Sequence, residues 1–278
     1  MSSFIGASLD QKGVSVMLWG VPFDGTSSYR AGARFAPSSI REASYSIETY
    51  SPYQDASLDE FKFCDVGNIE LPIGNTEKSL GMIYDFVKEN SSKLFLSIGG
   101  EHLITYPIIK ALKEKNNNEL VVLVFDAHTD LRNDYLGVKF SHATVMRRVL
   151  ELGNISLVSI GVRAGTKEEF EYIKKLNALY SIADVEKINE LTKGKTLYIS
   201  VDMDVFEPGY VPGVGNPEPG GINFSDFMNF LLKLSFKNVI GVDIVEINPV
   251  YDCSNISSIF AAEVIREILI KLFIDLNN

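Results

Sequence analysis

Short β-branched runs that alternate with longer amphipathic stretches constrain this 278-residue chain more than any other feature. Val14 to Trp19, Lys93 to Ser97, Leu120 to Phe125, Ser156 to Gly161, Thr196 to Val201 and Val239 to Val245 read as buried strands. Between and after them, Thr76 to Asn90, Thr105 to Glu114, Ala143 to Leu152, Lys167 to Leu176, Asn223 to Leu234 and Ile259 to Leu276 carry the helical period, several with Ser, Thr or Asn near the expected cap. Parallel neighbours need crossover connections, so the alternation predicts an α/β fold with a mostly parallel sheet and helices on both faces. With 46% apolar residues and no repeat, low-complexity tract or linker, residues 1–278 read as one domain.

Two polar or Gly/Pro-rich loops, Asp126 to Ser141 and Asp202 to Gly221, are unusually long for a compact domain, and each begins where a predicted strand ends. Open parallel sheets bind ligands in the crevice at those carboxyl ends. Charge narrows the ligand class. The formal net charge of -10 argues against a nucleic-acid partner and favours attraction of small cations. The apolar runs fall far short of the ~18 to 20 residues needed to span a bilayer, and the opening residues lack a basic region followed by an apolar one, so the expectation is a soluble, cytoplasmic protein without a membrane partner. Cys64 and Cys253 lack CxxC spacing and read as two reduced core thiols.

Three segments at predicted strand ends are rich in metal-ligand types: Gly99-Gly-Glu-His102, Asp126-Ala-His128-Thr-Asp130 and Asp202-Met-Asp204. Residues two apart on an extended segment point to one side, so Asp126, His128 and Asp130 can converge, as can Asp202 and Asp204. Four carboxylates and two imidazoles exceed the needs of one ion. They suit two divalent cations, whose charge four aspartates would balance. Oxygen and imidazole donors without thiolate suit Mn²⁺, and two such ions can activate water for hydrolysis. Glu246, at the end of the strand Val239 to Val245, lies at the same level and is free to pair with a cation. His142, before the helical pattern that starts at Ala143, suits either a capping role or a proton shuttle.

With these segments in view, the chain resembles the ureohydrolase family, which includes arginases and agmatinases. The likeness spans roughly Gly20 to Glu263, through Gly20-Val-Pro-Phe-Asp24, Tyr29-Arg-Ala-Gly-Ala-Arg-Phe-Ala-Pro37 with Ile40-Arg41, the three metal-ligand segments, Ser141-His142, Pro217-Glu-Pro-Gly-Gly221 and Glu246-Ile-Asn-Pro249. It implies a three-layer α/β/α sandwich, commonly assembled into homotrimers or homohexamers, with two Mn²⁺ per chain. One ion would be held by His102, Asp126, Asp130 and Asp202, the other by Asp126, His128, Asp202 and Asp204, with Asp126 and Asp202 bridging. The resemblance also implies that His142, Asp130 and Glu246 are the catalytic residues, with His142 assisting proton transfer at the leaving amine and Glu246 binding the guanidinium.

Within that family the details lean to cleavage of agmatine into putrescine and urea, a step of polyamine biosynthesis. Asp130 to His142 lacks the Thr/Ser-rich run with which arginases contact the amino-acid end of arginine, and Val214-Gly-Asn-Pro-Glu-Pro-Gly-Gly221 looks agmatinase-like. Asp134, or a carboxylate elsewhere, could receive agmatine's free amine, while Arg132 and Asn133 keep arginine in play. Glu101, Glu207 and Asn216 depart from the family pattern. The rival readings are arginase, guanidinobutyrase or formiminoglutamase, a single-zinc deacetylase-like hydrolase, and a non-catalytic polyamine-binding relative. The last two do not require a complete double ligand set.

Overall fold

The computed structural model describes residues 3–8, 10–116 and 118–277. In chain order its main elements are β1 (Val16–Val21), α1 (Ala36–Ser44), β2 (Tyr50–Ser51), β3 (Ala56–Ser57), β4 (Phe63–Asn68), α2 (Thr76–Asn90), β5 (Leu94–Gly99), α3 (Thr105–Glu114), β6 (Leu120–Phe125) and α4 (Val145–Leu150). There follow β7 (Ile155–Ile160), α5 (Lys167–Lys175), β8 (Leu179–Tyr180), α6 (Val185–Thr192), β9 (Thr196–Asp202), α7 (Phe224–Leu231), β10 (Val239–Val245) and α8 (Ile256–Asn277). Apart from the small β2–β3 hairpin, the strands form one eight-stranded sheet in the order β4-β1-β5-β10-β9-β6-β7-β8, with every pairing parallel.

Alternation along the strands sends side chains into two apolar layers. Val16, Leu18, Leu123, Phe125, Ile199 and Val201 pack with Ile40 of α1, Ile188 of α6, Phe227 of α7 and Ile265 of α8. Met17, Trp19, Val122, Val124 and Tyr198 pack with Ile83 of α2, Ile108 of α3, Val149 of α4 and Ile173 of α5. The sheet is thus covered on both faces, as central parallel strands require, and the chain has the three-layer α/β/α architecture. No helix of the described residues is long and apolar enough to cross a membrane.

Several boundaries differ from the sequence reading. β1 starts two residues later than predicted and continues through Gly20 and Val21, which pair with Ile98 and Gly99. Besides the two-residue strands β2, β3 and β8, three elements were not foreseen. β4 carries Asp65, Gly67 and Asn68 and has no apolar run; α1 opens on Ala-Pro and is mostly polar outside its buried stripe; α6 is short. Tertiary contacts define the first two. The Arg41 guanidinium of α1 is buried against Asp65 of β4, with Nε donating to Oδ2 at 2.7 Å and Nη2 to Oδ1 at 2.8 Å, so part of the family-like Ile40-Arg41 motif is a bolt between layers. The thiols also differ from expectation: Cys64 is buried, but Cys253 is exposed in the turn before α8 and is no core thiol.

Candidate active site

Four neighbouring strands, β5, β10, β9 and β6, bring their carboxyl ends together at the middle of the sheet. β5 leads through Gly100 into a 3-10 turn that starts at His102. A Cβ on Gly100 would lie 1.8 Å from the Phe23 carbonyl oxygen, so only glycine permits this close passage. On β9, Tyr198, Ser200 and Asp202 share one face, and Asp202 caps the turn that carries Asp204. β6 runs into Asp126, after which His128 and Asp130 lie on irregular chain. Asp130 has φ +51° and Glu246, just past β10, has φ +67°. Non-glycine residues in this region cost about 1 kcal/mol or more and cluster at functional sites.

Three of the four aspartates spend one oxygen on the backbone. Asp126 Oδ1 accepts from the His128 N–H at 2.6 Å, Asp202 Oδ1 from the Asp204 N–H at 2.9 Å, and Asp204 Oδ1 from the Ala127 N–H at 3.0 Å. The Asp130 carbonyl accepts from Met146 and Arg147 at the start of α4, while Glu169 of α5 braces the residues on either side of it, Thr129 and Leu131. The result is two overlapping donor groups. His102 Nδ1 lies 3.3 Å from Asp126 Oδ2, 3.1 Å from Asp130 Oδ2 and 3.2 Å from Asp202 Oδ2. His128 Nδ1 lies 2.9 Å from Asp204 Oδ2 and 3.6 Å from Asp126 Oδ1. The structure thus gathers all six candidates, with Asp126 common to both groups; Asp202 joins the group of His102 rather than that of His128.

These groups fit divalent cations. Separations of about 3 Å are those between neighbouring ligands around an ion that binds at roughly 2.1 Å. His102 Nδ1 and Asp126 Oδ2, buried and facing each other, are among the few buried side-chain atoms that have no hydrogen-bond partner. Burial pushes the Asp202 carboxyl well above its usual range, with repulsion from Asp204 and Asp126 added. Asp130 is raised to about 7, by burial first and then by Asp126. Asp126 moves the other way: against the effect of burial, the neighbouring imidazoles of His102 and His128 hold it below the usual carboxylate range. Two imidazoles cannot compensate four aspartates packed so closely, whereas two divalent cations can.

The cluster floors a cavity of about 320 Å³ whose walls include Ser28, Arg132, Tyr135, His142, Thr166, Glu169, Asn216, Glu218 and Glu246. Glu246 Oε1 accepts from the His102 N–H at 2.8 Å, and burial, then Glu101, raises its carboxyl to about 8. The His142 imidazole faces Ser28 Oγ through Nε2 at 3.3 Å and packs edge-on against Tyr135. Burial lowers its pKa to about 4. Ser141 and Thr144, not the His142 side chain, form the capping box of the turn, which removes the capping alternative.

Asp134 does not line this cavity; its Oδ1 accepts from the Gly137 N–H and braces a turn, while Asn133 and Asp134 line a neighbouring cleft. Arg132 does line it, and is the only Lys or Arg among the described residues that do. Its Nε lies 3.4 Å from Glu169 Oε2 and its guanidinium stacks 5.0 Å over the Tyr135 ring, so its charge is already engaged.

The three unexplained departures also gain places. Buried Glu101 accepts from Thr26 N–H and Oγ1–H and from Ser27 Oγ–H, and Thr26 Oγ1 in turn accepts from the His142 N–H, so Glu101 seats the loop that carries one wall and supports His142. Glu207 Oε2 accepts from the Gly220 and Gly221 N–H groups, closing the loop that bears Glu218. Asn216 lies in the wall. Sequence reasoning missed Arg163, whose guanidinium donates to the carbonyls of Asp204, Glu218 and Gly161. An isolated Arg after a strand carries no local signal of such a role.

Comparison with known proteins agrees with this geometry. A sequence model of the arginase family matches residues 14–271. The agmatinase of Bacillus subtilis is 41% identical over 96% of this chain and 95% of its own length. The N(1)-aminopropylagmatine ureohydrolase of Thermococcus kodakarensis is 36% identical over 83% of this chain and 82% of its own. The crystal structure of the agmatine ureohydrolase of Thermoplasma volcanium superposes with a TM-score of 0.85 at 32% identity, covering 98% of this chain and 94% of that one.

Proposed function

Because this chain belongs to the arginase family and is a hydrolase, we propose that it cleaves the guanidinium of agmatine to give putrescine and urea, with two Mn²⁺ per chain. His102, Asp126, Asp130 and Asp202 would hold one ion, and Asp126, His128, Asp204 and Asp202 the other. When bound, such a pair supplies Lewis acidity and water acidic enough to act as a nucleophile at neutral pH.

The chain's own residues supply the rest. Glu246, at the cavity wall beside the cluster, receives the guanidinium, whose charge offsets the burial that otherwise disfavours its carboxylate. His142, neutral at pH 7, can take a proton at Nε2 and return it to the departing amine. The observation that carries the choice of agmatine is the state of Arg132. It is the only Lys or Arg among the described lining residues, and Glu169 and Tyr135 already hold it. An α-carboxylate would meet no free cation there and would be desolvated without a partner. An ammonium tail instead finds Glu218, whose side chain is 40% exposed at the cavity and whose Oε1 lies 3.8 Å from His128 Nε2. Glu218 takes the role first considered for Asp134.

The same reading includes a single cytoplasmic domain in a homotrimer or homohexamer. Self-association is supported by an apolar recess of about 780 Å³ lined by Tyr50, Tyr53, Tyr210, Phe224, Ile256 and Phe260, a surface that a second copy would cover.

Protein reconstituted with excess Mn²⁺ should carry close to two ions per chain and release urea from agmatine. Asp202→Ala should lose both ions, because Asp202 is proposed to bridge. One ion at saturation, with activity untouched by Asp204→Ala, contradicts the two-ion site.

A further inference from the structure

We infer that Asp243, acting through Ser200, sets the tautomer of His102 and is therefore a positioning residue for the ion that His102 would hold. The inference rests on the metal assignment proposed above. Asp243 is fully buried on β10 and pairs in register with Ser200 on β9. Its carboxylate receives three hydroxyls: Ser200 Oγ–H on Oδ1, and Tyr198 Oη–H at 2.6 Å and Thr105 Oγ1–H at 2.7 Å on Oδ2. Thr105 opens α3, so strands β9 and β10 and the helix after the His102 turn all converge on this one carboxylate.

A serine hydroxyl has a single hydrogen. With that hydrogen given to Asp243, Ser200 Oγ can only accept from His102 Nε2, which lies 3.0 Å away. Nε2 must then carry the N–H. In the neutral form that binds a metal the imidazole has only one, so Nδ1 is then left with its lone pair. Nδ1 is the atom that faces Asp126, Asp130 and Asp202 and has no hydrogen-bond partner of its own. A lone pair aimed among carboxylate oxygens is repulsive by itself and productive when a cation sits between them. Asp243 and Ser200 thus hold the ring in the one form able to ligate through Nδ1, an arrangement of the kind by which partners behind a ligand tune metal affinity. A merely structural role, tying β9, β10 and α3 together, would make no demand on the His102 tautomer.

The test compares Ser200→Thr with Ser200→Val, which differ only by the hydroxyl. The chain has three histidines, so ¹⁵N-labelled histidine in wild-type protein loaded with diamagnetic Zn²⁺ gives a readable spectrum. His102 should show hydrogen on Nε2 and none on Nδ1. Mn²⁺ titration should show Ser200→Thr close to wild type and Ser200→Val weakened about tenfold to a hundredfold at one of two sites, with the other unchanged. Asp243→Asn should also weaken that site, since its amide can donate to Ser200 and turn the hydroxyl toward Nε2. Hydrogen on Nδ1 in the loaded wild type overturns the inference, and this readout stands even if a variant fails to fold. Two equally tight ions in Ser200→Val and Ser200→Thr overturn it while leaving the metal assignment intact; a wild-type chain that binds no Mn²⁺ overturns both.

Discussion

His142 is one of three imidazoles in the chain, and its surroundings separate it from the other two. Burial disfavours charge on His102 and His128 as well, but adjacent carboxylates outweigh it and raise both. His142 has no carboxylate against it, and burial lowers it to about 4. The folded state therefore binds this proton less tightly than the unfolded chain, whose histidine titrates near 6.5. Stability contributed by neutral His142 should accordingly be full above about 6.5 and decline as pH falls toward 4. In an NMR titration His142 should protonate well below pH 5.5, and a midpoint near 6.5 contradicts the burial argument. His142→Asn should lower kcat by about 10² or more at unchanged metal content, as loss of an acid-base group does. A variant that loses an ion would make His142 a ligand instead. The six candidate ligands and His142 were legible in the sequence because metal and proton chemistry draw on few residue types, and i, i+2 spacing at a strand end shows convergence. Asp243 and Glu169 were not legible, since their meaning comes from partners far away in the chain: Asp243 meets Thr105, and Glu169 meets Thr129.

At the level of elements, the legible part was what is locally periodic. α2 and α3 fall where their apolar stripes and polar ends predict, and β6 and β10 match their apolar runs. β4 and α1 were hidden because they depend on a buried ion pair, Arg41 with Asp65, rather than on a pattern of their own. Both long loops were expected to carry function, and both border the cavity, but what shapes the second is Arg163. Its fork joins Gly161, at the end of β7, to the carbonyls of Asp204 and Glu218. Arg163→Ala leaves those carbonyls unpaired and should cost about 1.5 to 3 kcal/mol, the range for hydrogen bonds to a charged group. It should also speed proteolysis between residues 206 and 221 and raise KM for agmatine. Arg163→Lys should restore little, since a single ammonium cannot reach separate carbonyls as the planar fork does. Unchanged melting and unchanged cleavage in Arg163→Ala would show that the loop is held by other contacts, Glu207 to Gly220 and Gly221 among them.

On the scale of the whole molecule, charge and shape act together. A chain of net charge -10 presents an acidic cavity at the centre of its sheet, which favours encounter with small cations. Its exposed tyrosines at 50, 53 and 210, with Ile256, line one apolar recess, and the proposed assembly predicts a solution mass three or six times the 30.9 kDa of the chain. A monomer by light scattering would contradict that expectation. The choice among guanidino compounds in the proposed reaction falls to the cavity as a whole. Agmatine and arginine present the same group to the ligand cluster and to Glu246, so discrimination falls to the other lining residues, where Arg132 is held by Glu169 and Tyr135 and Glu218 adds a partly exposed carboxylate beside His128. The direct measurement is kcat/KM for agmatine, arginine and 4-guanidinobutyrate on one Mn²⁺-loaded preparation. Agmatine should lead arginine by at least ~10²-fold, about 2.7 kcal/mol of differential transition-state binding, and Glu218→Gln should shrink that lead. Equal rates, or a preference for either carboxylated compound, would contradict the account.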